Sequence, residues 1–335
     1  MAITVNGAFD AFMKYYVRLD QDRTDLAKRS KNNLVKEIER FPNDGKFFLM
    51  YPDFSSIDYG SFSRKTKIRE LNDIDLMIVL HAQGNWRESI NGGYKIYVPN
   101  CPNGRQLESC NPNTNELNSI KVINRFKDCL SNVSTYENAT IKRNQEAATL
   151  KLKSYEWVYD IVPCFITQPD YNGKSFFLIP DGKGNWKPTD PRIDKERTER
   201  INQSQSVSVL DMIRIIKYWN KRPTMPSMSS YFLENLILNY YNTYGVTSSI
   251  HVQLELPKLF AWIYHKIREA LQDPKGFQGD LNHLTWEDRN SIQERSKLDY
   301  ERANAACQLE ASFMNKEAIE KWREIFGQDF PSYKD

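Results

Sequence analysis

Between residues 60 and 80 the chain reads GSFSRKTKIRELNDIDLMIVL, a Gly-Ser turn followed twelve residues later by two carboxylates, Asp73 and Asp75, that open an apolar run. This run predicts a strand over residues 73–81. In an extended strand residues i and i+2 face the same side, so Asp73 and Asp75 project together while Ile74, Leu76, Ile78 and Leu80 anchor the opposite face. Two acceptor-only side chains side by side repel unless a cation sits between them, and hard oxygen ligands favour Mg2+ or Mn2+. The Gly60-Ser61 turn offers backbone N–H groups to phosphate oxygens.

A third carboxylate, Asp160, lies in YEWVYDIVPCF, a β-rich stretch that Pro163 confines to a strand edge or end. Val158 and Val162 share its face. A same-face pair joined by one Asp from a later strand gives the ligand count of two-metal phosphoryl or nucleotidyl transfer. A bare D-x-D also occurs in glycosyltransferases and at solvated strand ends, so the context decides. Asp53 and Asp58 lack such context and read as ordinary turn or strand-end residues. The order Gly60-Ser61, Asp73-x-Asp75, Asp160 resembles the nucleotidyltransferases of the DNA polymerase beta superfamily.

Length and composition set bounds around this motif. A chain of 335 residues is long enough for two lobes, and 40% hydrophobic with 27% charged residues describes a globular protein. No apolar run reaches membrane-span length, and the N-terminus lacks a basic region followed by an apolar core, so a cytoplasmic location is expected. Cys101, Cys110, Cys129, Cys164 and Cys307 are odd in number and fit neither a zinc pattern nor a disulfide framework; reduced thiols are expected. His81, His251, His265 and His283 are scattered and read as surface or packing residues. A net charge of +3 without a Lys/Arg-rich arm implies no obligate nucleic-acid partner.

Helical periodicity over residues 9–41, with a break near Asp20, ends at Pro42. Residues 47–51 and 55–59 lead into the Gly-Ser turn. Residues 83–118 are rich in Asn, Gly and Pro and predict a loop-rich excursion with a short strand at 94–98, followed by a helix at 117–130. Residues 140–152 and 155–165 predict a hairpin that returns Asp160 to the sheet. Residues 180–191, with Gly182, Gly184 and Pro188, predict a linker or lid, and residues 177–186 together with the 83–118 excursion are the expected lining of a base pocket. Beyond them the chain is helical. Over 207–220, Val209, Met212, Ile213 and Ile216 form an apolar side, while Leu210, Arg214, Lys217 and Lys221 share another face, a basic stripe suited to solvent or to phosphate. In PSMSSYFLENLILNYY, Ser229 or Ser230 is the expected N-cap.

KYWN at 217–220 followed by SSYFLENL at 229–236 resembles the helical lobe of the CD-NTase family, relatives of cyclic GMP-AMP synthase and oligoadenylate synthases. The segments DPKGFQGDLNHL and AIEKWREIFGQDFP resemble the end of that lobe, so the likeness spans almost the whole chain. It implies an α+β fold: a polymerase beta-like core over 1–180 with a mixed sheet and a long N-terminal helix packing across both lobes, and a helical lobe over 181–335, with the active site in the cleft between them. Position by position, it implies that Gly60 and Ser61 grip the donor triphosphate, that Asp73, Asp75 and Asp160 hold two Mg2+ ions (or Mn2+), that Lys217 and Ser230 contact phosphate, and that Tyr231 stacks on a base. Thr66 and Ile68 fit the family spacer.

The implied reaction joins ribonucleoside triphosphates into a cyclic di- or oligonucleotide with release of pyrophosphate. The family's vertebrate sensor carries a zinc ribbon that has no match here, which points to the bacterial branch and to antiphage (CBASS) signalling. The implied partners there are a separate effector protein that the product activates and regulatory proteins; a monomer is expected. The alternatives are a linear product of oligoadenylate type, terminal nucleotide addition to a nucleic acid, and a degenerate fold that binds without catalysis, against which intact Asp73, Asp75 and Asp160 count.

Overall fold

The computed structural model describes residues 2–45, 47–99, 106–245 and 250–334. Its helices are α1 (Val5–Phe12), α2 (Gln21–Ile38), α3 (Gly60–Ser63), α4 (Ser119–Ser131), α5 (Pro191–Gln203), α6 (Val209–Asn220), α7 (Ser230–Tyr244), α8 (Val252–Lys266), α9 (Trp286–Ala311) and α10 (Asn315–Phe326). Its strands are β1 (Ser56–Asp58), β2 (Asp73–Leu80), β3 (Trp86–Ile90), β4 (Gly93–Tyr97), β5 (Thr140–Asn144), β6 (Ala147–Lys151), β7 (Val158–Ile166), β8 (Phe177–Pro180) and β9 (Trp186–Thr189). The chain forms two compact units. One comprises residues 22–63 and 71–192, the other residues 1–21, 64–70 and 193–335.

The first unit is built on one mixed sheet in the order β1-β2-β7-β8-β9-β4-β3, with β6 on β7 and β5 on β6. β2 and β7 are parallel and the other pairs antiparallel. The alternation read in the sequence holds: Ile74, Leu76, Ile78 and Leu80 are fully buried on one face. On the other, Met77 and Val79 join Val162 and Cys164 in an apolar cluster. Asn118 caps α4 through its side-chain oxygen, which accepts from the N–H groups of Ile120 and Lys121. α4 buries Val122, Phe126 and Leu130, and Phe126 meets Phe47 edge-on.

Two expectations change here. The expected antiparallel pairing of residues 140–152 with 155–165 is formed by β6 and β7, from Ala148↔Ile161 to Lys151↔Val158, but the first segment is itself split into a hairpin, β5 and β6. The expected linker at 180–191 is instead the β8–β9 hairpin, whose strands pair from Phe177↔Thr189 to Pro180↔Trp186. Gly182 and Gly184 take positive φ in its turn, the conformation that only glycine adopts without strain. Trp186 is fully buried and donates its indole N–H to the Leu117 carbonyl at 3.0 Å. The helical unit therefore starts at Ile193 rather than at residue 181.

The second unit is helical. The predicted break near Asp20 appears as an extended Arg18 after a π-type turn at Met13–Val17, and it separates α1, which belongs to this unit, from α2, which belongs to the other. The core of the helical unit runs through α1 and α6–α10, with Phe9 packed edge-on against Trp322 and Phe330. Ile68 joins that core. Arg18 pairs in bidentate fashion with Asp211, which also accepts from Arg214.

Among the described residues no helix is long and apolar enough to cross a membrane. Among the described residues Cys110, Cys129, Cys164 and Cys307 form no disulfide; Cys101 lies outside the described residues.

Candidate active site

Strand register brings two of the three candidate carboxylates side by side. Asp75 of β2 is the direct parallel partner of Asp160 of β7, and Asp73 is the partner of Val158. Neighbouring strands lie about 4.8 Å apart, so Asp75 and Asp160 are adjacent on one sheet face and Asp73 is two residues along that same face. All three are half-buried. Thr149 of β6 flanks Asp160 on its other side.

The Gly-Ser turn is packed against Asp75. Gly60 has φ +73°, and a Cβ placed on it would stand 1.8 Å from Asp75 Oδ2, a separation that no side chain tolerates. Only glycine lets the backbone that opens α3 approach the carboxylate so closely. Ser61 is the next residue of that turn.

Tyr59, immediately before the turn, reports the local field. Burial, then the charges of Asp75, Asp160 and Glu146, hold its phenol well above the ordinary tyrosine range, so the hydroxyl keeps its proton beside the carboxylates. Asp58 caps the edge strand β1 and pairs with Lys31 at 2.6 Å, in keeping with a strand-end role.

Among the described residues no three His, Cys, Asp or Glu side chains close into a ready-made metal cage. The donor set nonetheless fits Mg2+, which keeps several waters and binds through one or two carboxylates together with substrate phosphates. The absent Cβ of Gly60 lets the Asp75 carboxylate lie directly against the turn that would hold those phosphates.

The remaining expected residues lie in the helical unit. Ser229 is the N-cap of α7, accepting from Phe232 N–H at 3.3 Å, and Ser230 is the first helical residue, exposed. Within the expected basic stripe on α6, Lys221 is exposed but Lys217 is not. Lys217 is buried, donates to a carboxylate oxygen of Glu234 and donates to the Thr66 carbonyl at 3.1 Å. Arg64 binds the second oxygen of Glu234 through Nε at 2.8 Å. Burial alone would raise the Glu234 carboxyl, but Arg64 and then Lys217 hold it below its ordinary value, while burial depresses Lys217 despite the carboxylate.

Tyr231 is half-buried, with its hydroxyl 2.7 Å from Asp194 Oδ1 and 2.9 Å from Asp273 Oδ1. The ammonium of Lys275 sits 4.1 Å from the centre of its ring. Burial and then the Asp194 charge raise the phenol far above its usual range.

Gly60, Asp73, Asp75 and Asp160 are thus gathered in the sheet unit, and Lys217, Ser230 and Tyr231 on α6 and α7 of the helical unit. Tyr59, Arg64, Glu234, Asp194, Asp273 and Lys275 escaped sequence reasoning. Glu234 carried a signal: a lone acid flanked by YFL and by NLIL is a charge on an otherwise apolar helix segment, which demands a buried partner.

A mixed sheet with paired strand carboxylates, a glycine turn packed on them and a helical companion unit define a polymerase beta-like nucleotidyltransferase fold. No protein-family model matches the chain. Over 336 aligned residues, covering all of both chains, it is 40% identical to the probable cyclic nucleotide synthase of Bacillus cereus strain VD146. Its fold is similar to that of E. coli MS115-1 CdnC with ATP, at TM-score 0.67 and 17% identity over 98% of this chain and 99% of that one. The complex of CdnC with HORMA-deltaN gives TM-score 0.66 and 17% identity, with 98% of each chain covered. The chain belongs to the bacterial CD-NTase family of cyclic nucleotide synthases and is a nucleotidyltransferase.

Proposed function

We propose that the protein joins ribonucleoside triphosphates into a cyclic di- or oligonucleotide, releasing pyrophosphate, with Asp73, Asp75 and Asp160 as the metal-binding carboxylates. The observation that carries this reading is the parallel register of Asp75 and Asp160 with Gly60 packed against Asp75. When bound there, Mg2+ or Mn2+ supplies neutralisation of triphosphate charge and acidification of the attacking ribose hydroxyl. Asp160 orients that hydroxyl and accepts its proton. The backbone N–H groups of Gly60 and Ser61 and the Ser61 hydroxyl hold the donor triphosphate, so that attack is in line with the pyrophosphate leaving group.

In the helical unit, Tyr231 is the stacking surface for a base, which tolerates different bases and permits release. Arg64 and Lys217 both pair with Glu234, two cations on one carboxylate, an arrangement that favours phosphate; Ser230, exposed at the start of α7, adds a hydroxyl donor. A linear first product rebinds with its triphosphate at the carboxylates and its free hydroxyl presented for a second attack, which closes the ring.

The ATP in the CdnC structure supports a nucleoside triphosphate substrate, and the HORMA-deltaN complex supports a regulatory protein partner. The cellular reading is a cytoplasmic antiphage (CBASS) enzyme, monomeric, whose product activates a separate effector.

Pyrophosphate release tests the metal assignment. With Mg2+ and the four ribonucleoside triphosphates the purified protein is expected to release pyrophosphate, and excess EDTA is expected to stop it. Release that continues at full rate in EDTA contradicts the assignment.

A further inference from the structure

The segment between α8 and α9 that reads DPKGFQGD, residues 273–280, is wound around one aspartate. Asp273 Oδ1 accepts from the Lys275 N–H at 3.2 Å, and Oδ2 accepts from the N–H groups of Phe277 and Gln278 at 3.1 Å each. The Asp273 N–H donates to the Gly279 carbonyl at 2.8 Å, and Gln272 and Asp280 close the base of the loop as a β-bridge. Asp280 locks the exit by accepting from Leu271 and Asn282 N–H at 2.8 and 2.9 Å.

The loop sends two side chains onto Tyr231. Asp273 meets the hydroxyl, and Lys275 covers the ring at 4.1 Å while donating to Asp194 Oδ2 at 2.9 Å. The Lys275 and Asp194 side chains are only 6% and 7% exposed. Burying a lysine is costly unless its charge is used. Here it is used on one carboxylate and one aromatic ring, while Asp194 and Asp273 fix the phenol end of that ring. A half-buried tyrosine tethered at its hydroxyl and on its ring has lost the rotamer freedom that a ligand would otherwise have to remove on binding.

We infer that loop 273–280 is a positioning element for the nucleotide base: Asp273 and Lys275, together with Asp194, hold Tyr231 in the orientation in which it stacks. The inference rests on the reading of Tyr231 as the base platform. It assigns Lys275 and Asp273 as positioning residues, which touch the tyrosine and not the substrate.

The test compares four variants by steady-state kinetics with the ribonucleoside triphosphates that the wild type uses, alongside thermal melts. Freeing one ordered side chain costs about a two- to tenfold loss of affinity. Lys275→Met and Tyr231→Phe are therefore expected to raise KM by that factor with kcat within about twofold, and Lys275→Arg, which keeps a cation over the ring and a donor to Asp194, to restore it. Tyr231→Ala is expected to raise KM further. If Tyr231→Ala raises KM while Lys275→Met and Tyr231→Phe match the wild type, the loop has no positioning role and the base platform stands. An unchanged KM in Tyr231→Ala overturns the platform and the inference with it. Should Lys275→Met fail to fold, Tyr231→Phe, which keeps the ring and loses only the tether, decides alone.

Discussion

At the scale of single residues, the site depends on how closely backbone and carboxylate approach at Gly60 and Asp75. That Asp73 and Asp75 share a face was legible because period-two alternation in an apolar strand allows only one placement for i and i+2. The register that sets Asp75 beside Asp160 was not, since it depends on strands that arrive from far apart in the chain. Gly60 carries the sharpest prediction. Gly60→Ala adds a methyl group where Asp75 already stands and forces a non-glycine residue to positive φ, a cost of about 1–2 kcal/mol in backbone terms alone. Thermal melts are expected to show a modest loss of stability, and turnover is expected to fall more than tenfold, because Asp75 must move and each 1.36 kcal/mol of barrier is about a factor of ten. Wild-type turnover in this variant would remove the turn from the active site.

At the scale of elements, glycine and proline misled where pairing overrode local composition. Gly182, Gly184 and Pro188 read as a linker, yet the two glycines make the turn of the β8–β9 hairpin and Pro188 sits within β9 opposite Leu178. The face of α6 that carries Lys217 read as suited to solvent or to phosphate because its partner, Glu234, comes from α7 and is invisible to periodicity within one helix. This triad gives the second prediction. Replacing Glu234 with Leu leaves Arg64 and Lys217 buried without their carboxylate, a loss of about 3–5 kcal/mol, measurable by denaturant unfolding. Because the folded Glu234 carboxyl lies below its ordinary value of 4.5, its contribution is complete above that pH and fades as the pH falls further. The stability difference between wild type and Glu234→Leu is therefore expected to narrow in acid. A constant difference down to pH 3 would show that packing, not charge, sets the cost.

At the scale of the whole molecule, the fold class and the helical character of the C-terminal part were readable, whereas the division of the chain was not: residues 1–21 and 64–70 belong with the helical unit although both lie in the N-terminal third. Their allegiance comes from side chains such as Phe9 and Ile68, whose core partners lie far along the chain. Buried tyrosines add a property of the entire protein. Burial pushes Tyr136 from 10.0 up to about 12, and Tyr59, Tyr240 and Tyr241 are raised as well. A raised folded pKa stabilises fully below the unfolded value and is lost as the pH climbs through the folded one. Stability is thus expected to hold to about pH 10 and to fall steeply between pH 10 and 12, as followed by circular dichroism. A flat profile across that range would mean that these phenols are open to solvent.

The most direct measurement incubates the purified protein with all four ribonucleoside triphosphates and Mg2+ or Mn2+, treats the products with phosphatase and weighs them by mass spectrometry, with Asp160→Asn run in parallel. A ring has no terminal phosphate to lose. A phosphatase-resistant product at the mass of a cyclic di- or oligonucleotide is expected with the wild type and not with Asp160→Asn; products that are all linear and phosphatase-sensitive, or a ring that Asp160→Asn forms equally well, would contradict the proposed function.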